Sequence, residues 1–212
     1  EVMLEHINEA LDITRIEGGA FELSPQEFNL PDLARSLVEV LKPLANEKEL
    51  SLELQIDDNI KAYFLGDSHR IRQILTNLLG NSIKFTDEGS IQLVISFSHE
   101  ADVSRLKFTI TDTGLGIAPE NHEKIFEDFV AISSGDERQS RGDGLGLSIS
   151  RKIARQMGGD IIVESNINEG ATFILNLPLK QVAKTDVVEP RALDIPMENF
   201  KKINVLVVED ST

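Results

Sequence analysis

One stretch of about twenty residues, from Asp67 to Thr86, most strongly limits the folds open to this chain. At the helical rotation of about 100° per residue, its apolar side chains fall on one broad face and its polar side chains in a narrow strip on the other side. The apolar face includes Ile71, Leu75, Leu78 and Leu79, and the polar strip consists of Arg70, Gln73, Asn77, Asn81 and Lys84. The stretch therefore predicts a central helix that packs on a core and carries a polar strip along one side.

The residue types in the polar strip are suited to holding ions. Asn77 and Asn81 lie one helical turn apart, and Lys84 follows about one turn later. Amide oxygens are hard ligands that suit Mg²⁺, which keeps several waters and is shared with phosphates. The ammonium group one turn further on would hold the anion. A solvated helix face is the alternative, and this helix alone leaves both interpretations open.

Composition limits the possible partners. The 212 residues carry a net charge of −15, which argues against binding nucleic acid through its phosphate backbone. Without cysteine there is no disulfide and no thiolate zinc site, which fits a cytoplasmic setting. No apolar run approaches the roughly 18 residues that a membrane span needs, so we expect no membrane contact. The chain begins with Glu1 rather than Met, and we expect it to be part of a longer protein.

Two helices are predicted before the central one. Residues 1–17 carry a narrow apolar seam of the kind found in helical bundles, and two glycines end it. A short strand and a corner are expected within residues 21–28. The second helix begins after Asn29, a suitable N-cap, and runs to about residue 46. Pro43 is expected to kink or end it.

Alternation of apolar and polar residues predicts the strands. They cover residues 50–56, 90–98, 105–111, 160–165 and 171–177. A polar turn joins the second strand to the third, so these two are predicted to be antiparallel neighbours. A short amphipathic helix is predicted at Pro119–Phe129, with its aromatic side chains in the core.

Two glycine-rich turns are candidates for ligand contact. The first glycine turn, Asp112–Ile117, directly follows a strand; its glycines would let the backbone approach a ligand, and Asp112 would accept a hydrogen bond from an exocyclic amine. The second glycine turn, Gly142–Leu147, follows a polar loop over residues 131–141 and begins a helix, where free backbone amides could bind phosphate. A plain tight turn and a plain helix start are the alternatives.

The common phosphate-binding patterns are missing from the sequence. The pattern Gly, four residues, Gly-Lys-Ser/Thr does not occur, and Leu147 stands where a dinucleotide fold needs its third glycine. A helix that carries side-chain amides and is followed by two glycine turns therefore indicates a different type of phosphate-binding site.

In order and spacing, these motifs resemble the ATP-binding catalytic domain of sensor histidine kinases, which has the GHKL or Bergerat nucleotide fold. The N box corresponds to Asn77–Phe85, the G1 box to Asp112–Gly116, the F box to Ile125–Phe129 and the G2 box to Gly142–Leu147, with Met157–Gly159 and Gly170–Phe173 completing the series. The resemblance covers about residues 1–180. It implies an α/β (α+β) fold, a two-layer sandwich in which a mixed, mainly antiparallel sheet packs on about three helices.

The resemblance also implies two cofactors, ATP and Mg²⁺, and a role for each motif. The implied nucleotide-binding residues are Asn77, Asn81, Lys84, Phe85, Asp112, Gly114, Gly116, Ile117, Arg141, Gly142, Gly144, Leu145, Gly146, Leu147 and Thr172. Asp112 would bind the adenine amino group, and Asn81 would hold the metal with Asn77 beside it. Lys84 would contact phosphate and, with Asn77, is the implied catalytic residue.

Three further roles follow from the same resemblance. Phe85 would form a wall of the adenine site, and Thr172 would help to hold water there. Residues 130–143 would form the ATP lid, with Arg138 or Arg141 near the γ-phosphate. The sequence departs from the family at Asp143, where Thr or a similar small polar residue is usual, so its side chain is given no role.

The flanking segments resemble parts of a hybrid kinase. Residues 1–19 resemble the end of the dimerisation helix, 20–180 the catalytic domain, 181–202 a linker and 203–212 the first strand of a receiver domain, with Glu209 and Asp210 as its acidic pair. None of the four histidines has the acceptor motif, so the phospho-accepting histidine is expected upstream of residue 1. The implied partners are that acceptor domain, the receiver domain, a response regulator or phosphotransfer protein, and a second copy in a homodimer.

Two other functions are compatible with this fold. One is a GHKL-type ATP hydrolase, which normally has Glu at the position of Asn77. The other is a non-catalytic nucleotide-binding module, which would be expected to have lost Asn81, Asp112 or the glycines. All of these are present here.

Overall fold

The computed structural model describes residues 11–12, 14–16, 18–100, 103–130 and 144–183. The described residues form three α-helices with defined bounds, α1 (Leu30–Glu47), α2 (Ser68–Phe85) and α3 (Gly146–Gln156), and residues 11–12 and 14–16 are also helical. The strands are β1 (Gln26–Asn29), β2 (Ser51–Ile56), β3 (Tyr63–Gly66), β4 (Ser90–Glu100), β5 (Val103–Asp112), β6 (Asp160–Ser165), β7 (Ala171–Leu177) and β8 (Lys180–Gln181).

Five of the strands form one sheet in the order β2-β4-β5-β7-β6. All neighbours are antiparallel except β2 and β4, which are parallel because the connection between them contains β3 and α2. Alternate residues of β4 and β5 are buried against the helices, as the sequence pattern predicts. The two-layer, mainly antiparallel α/β architecture is therefore confirmed.

The central helix α2 forms where the sequence predicts it. The Asp67 side chain caps its start, accepting hydrogen bonds from the backbone amides of Arg70 and Ser24, each at 3.0 Å. Its buried face lies in the core and consists of Ile71, Ile74, Leu75, Leu78, Leu79, Ser82 and Ile83. At the other end, the Lys48 ammonium group donates to the carbonyl oxygens of Lys84 and Thr86, at 2.8 and 3.0 Å. Contacts from outside the helix thus stabilise both of its ends.

Two local features differ from the sequence prediction. Pro43 does not end its helix, since α1 continues to Glu47 with the proline inside it on the exposed side, and a kink there stays a prediction. Residues 119–129 form two separate 3-10 turns, Pro119–Asn121 and Lys124–Phe126, in place of one amphipathic helix. Tertiary contacts direct this segment, since the guanidinium of Arg151 stacks on the Phe126 ring at 4.6 Å. Phe129 is 75% exposed with a φ of +63°, so it is not a core residue.

A second, smaller sheet is not predicted by the sequence. It has the strand order β1-β3-β8 with antiparallel pairing. Of the strand and corner expected within residues 21–28, only the end is a strand, and this strand, β1, continues to Asn29. β3 and β8 are too short to show alternation, and they form because distant segments pair. The predicted strand at residues 203–212 and the linker before it lie outside the described residues. Within the described part of the chain, no helix has both the length and the apolarity needed to cross a membrane.

Candidate functional site

The structure joins α2 to α3 through Asn77. The Asn77 side-chain amide donates a hydrogen bond to the Ser150 hydroxyl at 2.9 Å, and its oxygen accepts one from the Asn81 amide at 3.3 Å. Both polar groups of Asn77 are therefore engaged. Asn77 links the polar strip to the helix that follows the second glycine turn.

Asn81 has an oxygen available for a cation. Its Oδ1 accepts no hydrogen bond from a described residue, while its nitrogen is directed to Asn77. Nowhere among the described residues do three His, Cys, Asp or Glu side chains come together to hold a metal ion. A cation at this position would therefore depend on amide oxygens, water and a bound anion. That donor set fits Mg²⁺, which retains water and binds with phosphates.

Lys84 lies at the end of the polar strip, where burial lowers the pKa of its ammonium group. The group lies 4.8 Å from the centre of the Phe85 ring, in a cation–π contact. Lys84 is thus adjacent to the two asparagines along the same side of α2.

The Asp112 carboxylate is held at the end of β5 by three hydrogen bonds. One oxygen accepts from the backbone amides of Gly114 and Ala171, at 3.0 and 3.1 Å. The other accepts from the Ser82 hydroxyl at 2.9 Å. The carboxylate is only 6% exposed. Its orientation is therefore set by the first glycine turn, by β7 and by α2 together.

The first glycine turn packs directly on the end of α2. The Leu115 amide donates to the Phe85 carbonyl at 3.2 Å. Gly116 has a φ of +67°, and a Cβ there would overlap the Asn166 carbonyl, so only glycine fits. Nearby, the Thr86 hydroxyl is fully buried and has no hydrogen-bond partner among the described residues. A buried hydroxyl without a partner favours the binding of a polar group or water beside it.

The described part of the second glycine turn, residues 144–147, is placed against Asn77. A Cβ on Gly146 would overlap the Asn77 side-chain oxygen, so glycine allows the start of α3 to approach α2 this closely. Leu145 is the N-cap and provides no side-chain hydrogen bond, so among the described residues no side chain caps the first amides of α3. Free amides at a helix start favour an anion. Arg138, Arg141, Gly142 and Asp143 lie outside the described residues.

Comparison with known proteins matches this arrangement to one family. The model of the histidine kinase-, DNA gyrase B- and HSP90-like ATPases matches residues 66–181. The chain belongs to this ATPase family. The match contains the polar strip and both glycine turns, and it ends with β8.

Histidine kinases are among the most similar curated proteins. The hybrid signal transduction histidine kinase K of Dictyostelium discoideum is 37% identical over 190 residues, which cover 85% of this chain and 16% of that protein. The sensor protein GacS of Pseudomonas syringae pv. syringae is 38% identical over 200 residues, which cover 94% of this chain and 22% of that protein. The chain thus spans less than a quarter of the length of either relative.

Solved histidine kinase structures share the fold. Full-length ShkA in complex with AMPPNP is 33% identical with a TM-score of 0.75, and the match covers 85% of this chain and 36% of that one. Histidine kinase ThkA in complex with response regulator protein TrrA is 28% identical with a TM-score of 0.61, covering 84% of this chain and 49% of that one.

One residue implied by the family resemblance is placed away from the site. Thr172 pairs with Thr111 across β5 and β7, and their hydroxyls are 3.2 Å apart. Asp112 pairs with Ala171, one residue along, so its side chain is on the other face of the sheet. Thr172 therefore cannot hold water beside Asp112, and the backbone amide of Ala171 contacts the carboxylate.

Two site residues escaped the sequence reasoning. Ser82 and Ser150 bind Asp112 and Asn77, yet neither belongs to the polar strip. A hydroxyl on the apolar face of α2 was the available signal for Ser82, because buried polar groups normally have a specific partner. No comparable signal marks Ser150, whose partner is 73 residues away in sequence.

A cavity of about 760 Å³ meets the site at Asn77 and Gly146. Its walls come from the helical residues near position 12, from α1, from α2 between His69 and Gly80, and from α3. Asp112 and Lys84 do not line it. This cavity therefore meets the site at its Asn77 end and not at its Asp112 end.

Proposed function

We propose that this chain is the ATP-binding catalytic domain of a hybrid sensor histidine kinase and that it transfers the γ-phosphoryl group of ATP to a histidine in another domain. The observation that carries this proposal is the arrangement along α2. Ser82 fixes the Asp112 carboxylate, and Asn77 contacts the uncapped start of α3 five residues earlier, roughly 7–8 Å along the helix axis. An acceptor for a base amine and a phosphate-binding helix start therefore lie along one element.

The nucleotide would lie along this part of α2. Asp112 accepts a hydrogen bond from the adenine amine, and Phe85 lies beside the base. The glycines of the first glycine turn, with Ile117, allow close approach of the backbone. The backbone amides of residues 144–147 and the Lys84 ammonium group hold phosphate oxygens, and Arg141 and Gly142 extend this set.

Magnesium fits the same place, where it would supply positive charge to the phosphates. Asn81 presents its free oxygen, and Asn77 orients the Asn81 amide through the 3.3 Å hydrogen bond. The described residues offer no cluster of three His, Cys, Asp or Glu side chains as another cation site. Asn77, Asn81 and Lys84 then hold the phosphates in one orientation.

The proposed reaction is a phosphoryl transfer. A nitrogen of the acceptor imidazole attacks the γ-phosphorus, the bond from that phosphorus to the β–γ bridging oxygen breaks, and ADP leaves with the electron pair. Such reactions depend mainly on positioning and charge stabilisation. Asn77 is not basic enough to take a proton from water. This favours transfer to histidine over hydrolysis.

The partners follow from the relatives. The curated relatives include hybrid histidine kinases, and ThkA was solved with the response regulator TrrA. We therefore infer an acceptor-histidine domain, a receiver domain and a response regulator or phosphotransfer protein as partners, with homodimerisation of the complete kinase in the cytoplasm.

Incubation with γ-labelled ATP tests this proposal. The chain should bind Mg²⁺-ATP by calorimetry but should not label itself, because none of its four histidines has the acceptor motif. When an acceptor-histidine domain is added as a separate polypeptide, acid-labile phosphate should appear on that domain. Absence of nucleotide binding, or acid-labile phosphate on one of the chain's own histidines, would contradict the proposal.

A further inference from the structure

Ser82 is a polar residue at a core position of α2. It lies on the buried face of the helix among leucine and isoleucine side chains and is 1% exposed. A buried hydroxyl is unfavourable unless it is hydrogen-bonded. The Ser82 hydroxyl is 2.9 Å from an oxygen of Asp112, to which it donates. Its partner is thus the side chain that is proposed to read the base.

The hydrogen bond from Ser82 limits the number of further donors that the Asp112 carboxylate can accept. A carboxylate has about four lone-pair positions on its two oxygens. The amides of Gly114 and Ala171 use both positions on one oxygen, and Ser82 uses one position on the other. About one position therefore remains, on the oxygen that Ser82 contacts.

We propose that Ser82 is a specificity-determining residue that positions Asp112 for an exocyclic amine; this inference rests on the proposed function. With the carboxylate held by three donors, the remaining lone pair accepts one N–H from the six-position amine of adenine. A guanine base presents a carbonyl oxygen there, which the carboxylate repels. The Ser82 hydroxyl could donate to that carbonyl only by releasing Asp112.

A second hydroxyl supports a polar binding position in this corner. Thr86 lies one helical turn after Ser82, and its hydroxyl is buried without a partner among the described residues. It also lies against Gly114, since a Cβ built on that glycine would be 2.9 Å from it. The corner between α2 and the first glycine turn thus has an unsatisfied hydroxyl beside Gly114, whose amide binds the Asp112 carboxylate.

Calorimetric titration of Ser82→Ala with Mg²⁺-ATP and Mg²⁺-GTP tests the inference. ATP affinity should fall about 5- to 10-fold, as expected for losing one hydrogen bond to the reading group. GTP affinity should stay within about twofold of the wild-type value, so the ratio of ATP to GTP affinity should become smaller. In an Asp112→Asn background the same change should have no further effect on the ratio, because Ser82 acts through Asp112.

Ser148→Ala is the matched control. Ser148 is also 1% exposed, but its hydroxyl donates to the Leu145 carbonyl in its own helix. This variant should keep the wild-type ratio of ATP to GTP affinity. If Ser82→Ala does not fold, Ser82→Cys, which has similar size and a weaker donor, should narrow the ratio by a smaller factor.

The outcomes separate this inference from the proposed function. A folded Ser82 variant that binds ATP with the wild-type ATP to GTP ratio would overturn the role of Ser82 and leave the proposed function standing. The role of Ser82 would also be overturned if Ser82→Ala changed the ratio of ATP to GTP affinity by the same factor in the wild-type and in the Asp112→Asn background. If the wild-type protein binds no ATP, the proposed function fails, and this inference fails with it.

Discussion

The two halves of the polar strip on α2 use the same kind of residue for different purposes. In the first half, the Arg70 guanidinium donates to Asp12 at 2.6 Å and to Gln73 at 2.8 Å, and Gln73 donates to Asp12 at 3.0 Å. Arg70 also stacks on the Phe21 ring at 4.6 Å. Asp12 is only 5% exposed. This half joins the N-terminal helical residues to α2. We call it closed because its polar groups bind one another and Asp12, although the same side chains also line the cavity.

The second half remains available to a ligand. Among the described residues, no group donates to the Asn81 side-chain oxygen and no side chain caps the start of α3, beside which Asn77 lies. Helical periodicity places both halves on one side of α2. What differs is the segment facing each half, because a carboxylate from residue 12 binds the polar groups of the first half, whereas glycine turns pack against the second.

The largest effect is expected for Asn77→Glu. This variant tests whether the second half of the strip lacks only a general base for the hydrolysis of ATP. The Ser150 hydroxyl can donate to a carboxylate, so the new side chain should keep its contact with α3. General-base catalysis is worth about 10²–10⁴-fold in rate. We expect a gain of this order in phosphate release over a near-zero background, measured at saturating Mg²⁺-ATP.

Asn77→Gln is the control for that variant, because it has the same length as Glu without the carboxylate. It should not gain activity. A wild-type turnover already near 1 s⁻¹, a low but ordinary enzymatic value, would instead favour the hydrolase function.

Breaking the closed half should affect stability and not nucleotide binding. Arg70→Met leaves the Asp12 carboxylate buried without its charged partner and, among the described residues, bound only by the Gln73 amide, and we expect the free energy of unfolding to fall by about 3 kcal/mol. The double variant with Asp12→Leu should recover most of this. Chemical denaturation followed by circular dichroism measures both.

The exposed pair Asp32–Arg35, 3.6 Å apart, provides the comparison. Arg35→Met should lower the free energy of unfolding by less than about 0.5 kcal/mol.

ATP affinity should be unchanged in a folded Arg70 variant. A large loss of affinity there would show that the two halves of the strip are not separate in function.

Asp112→Asn should weaken ATP binding by about 10- to 150-fold, the value of a charge-assisted hydrogen bond of roughly 1.5–3 kcal/mol. If the Asn oxygen keeps the two backbone amides, its NH₂ group faces the Ser82 hydroxyl and the adenine amine. The preference for ATP over GTP should narrow. An unchanged ATP affinity in the folded variant, measured by titration, would refute the role of Asp112.

The smallest effect is expected from pH. Because burial lowers the Lys84 pKa in the free protein, the ammonium group loses its proton at a lower pH than an exposed lysine. The charged form binds phosphate, so ATP affinity should fall by a few-fold as pH rises through this lowered pKa. Lys84→Met should remove that dependence. A wild-type affinity that is constant from pH 7 to pH 10 would exclude this contribution.

The sequence predicted those parts of the molecule in which a local pattern matches a local physical requirement. The apolar face of α2, its Asp67 cap, the Asn29 cap of α1 and the alternation in β4 and β5 are set by neighbours within a few residues. The Asp112 carboxylate was predicted as a site residue because it directly follows a strand and begins a glycine turn. The structure fixes this carboxylate with three hydrogen bonds, and its contact with a base amine stays a prediction.

Other features could not be predicted, because the contacts that create them join distant segments. β3 becomes a strand by pairing with β1 and β8, and Thr172 is placed away from Asp112 by a register between β5 and β7 that the alternation does not specify. Phe129 is a large apolar residue for which the sequence pattern predicts a core position, yet it is exposed. In the same segment, the Phe126 ring contacts the Arg151 guanidinium.

By itself, the sequence determined that α2 has a buried face and a polar strip, since both follow from the helical rotation of a single segment. Only the tertiary structure decided that Asp12 closes one end of the strip, that Gly146 brings α3 to the other, and that Ser82 inside the core holds Asp112. The physical reason is that a side chain's direction comes from its own helix or strand, whereas its partner is chosen by packing between elements far apart in the chain.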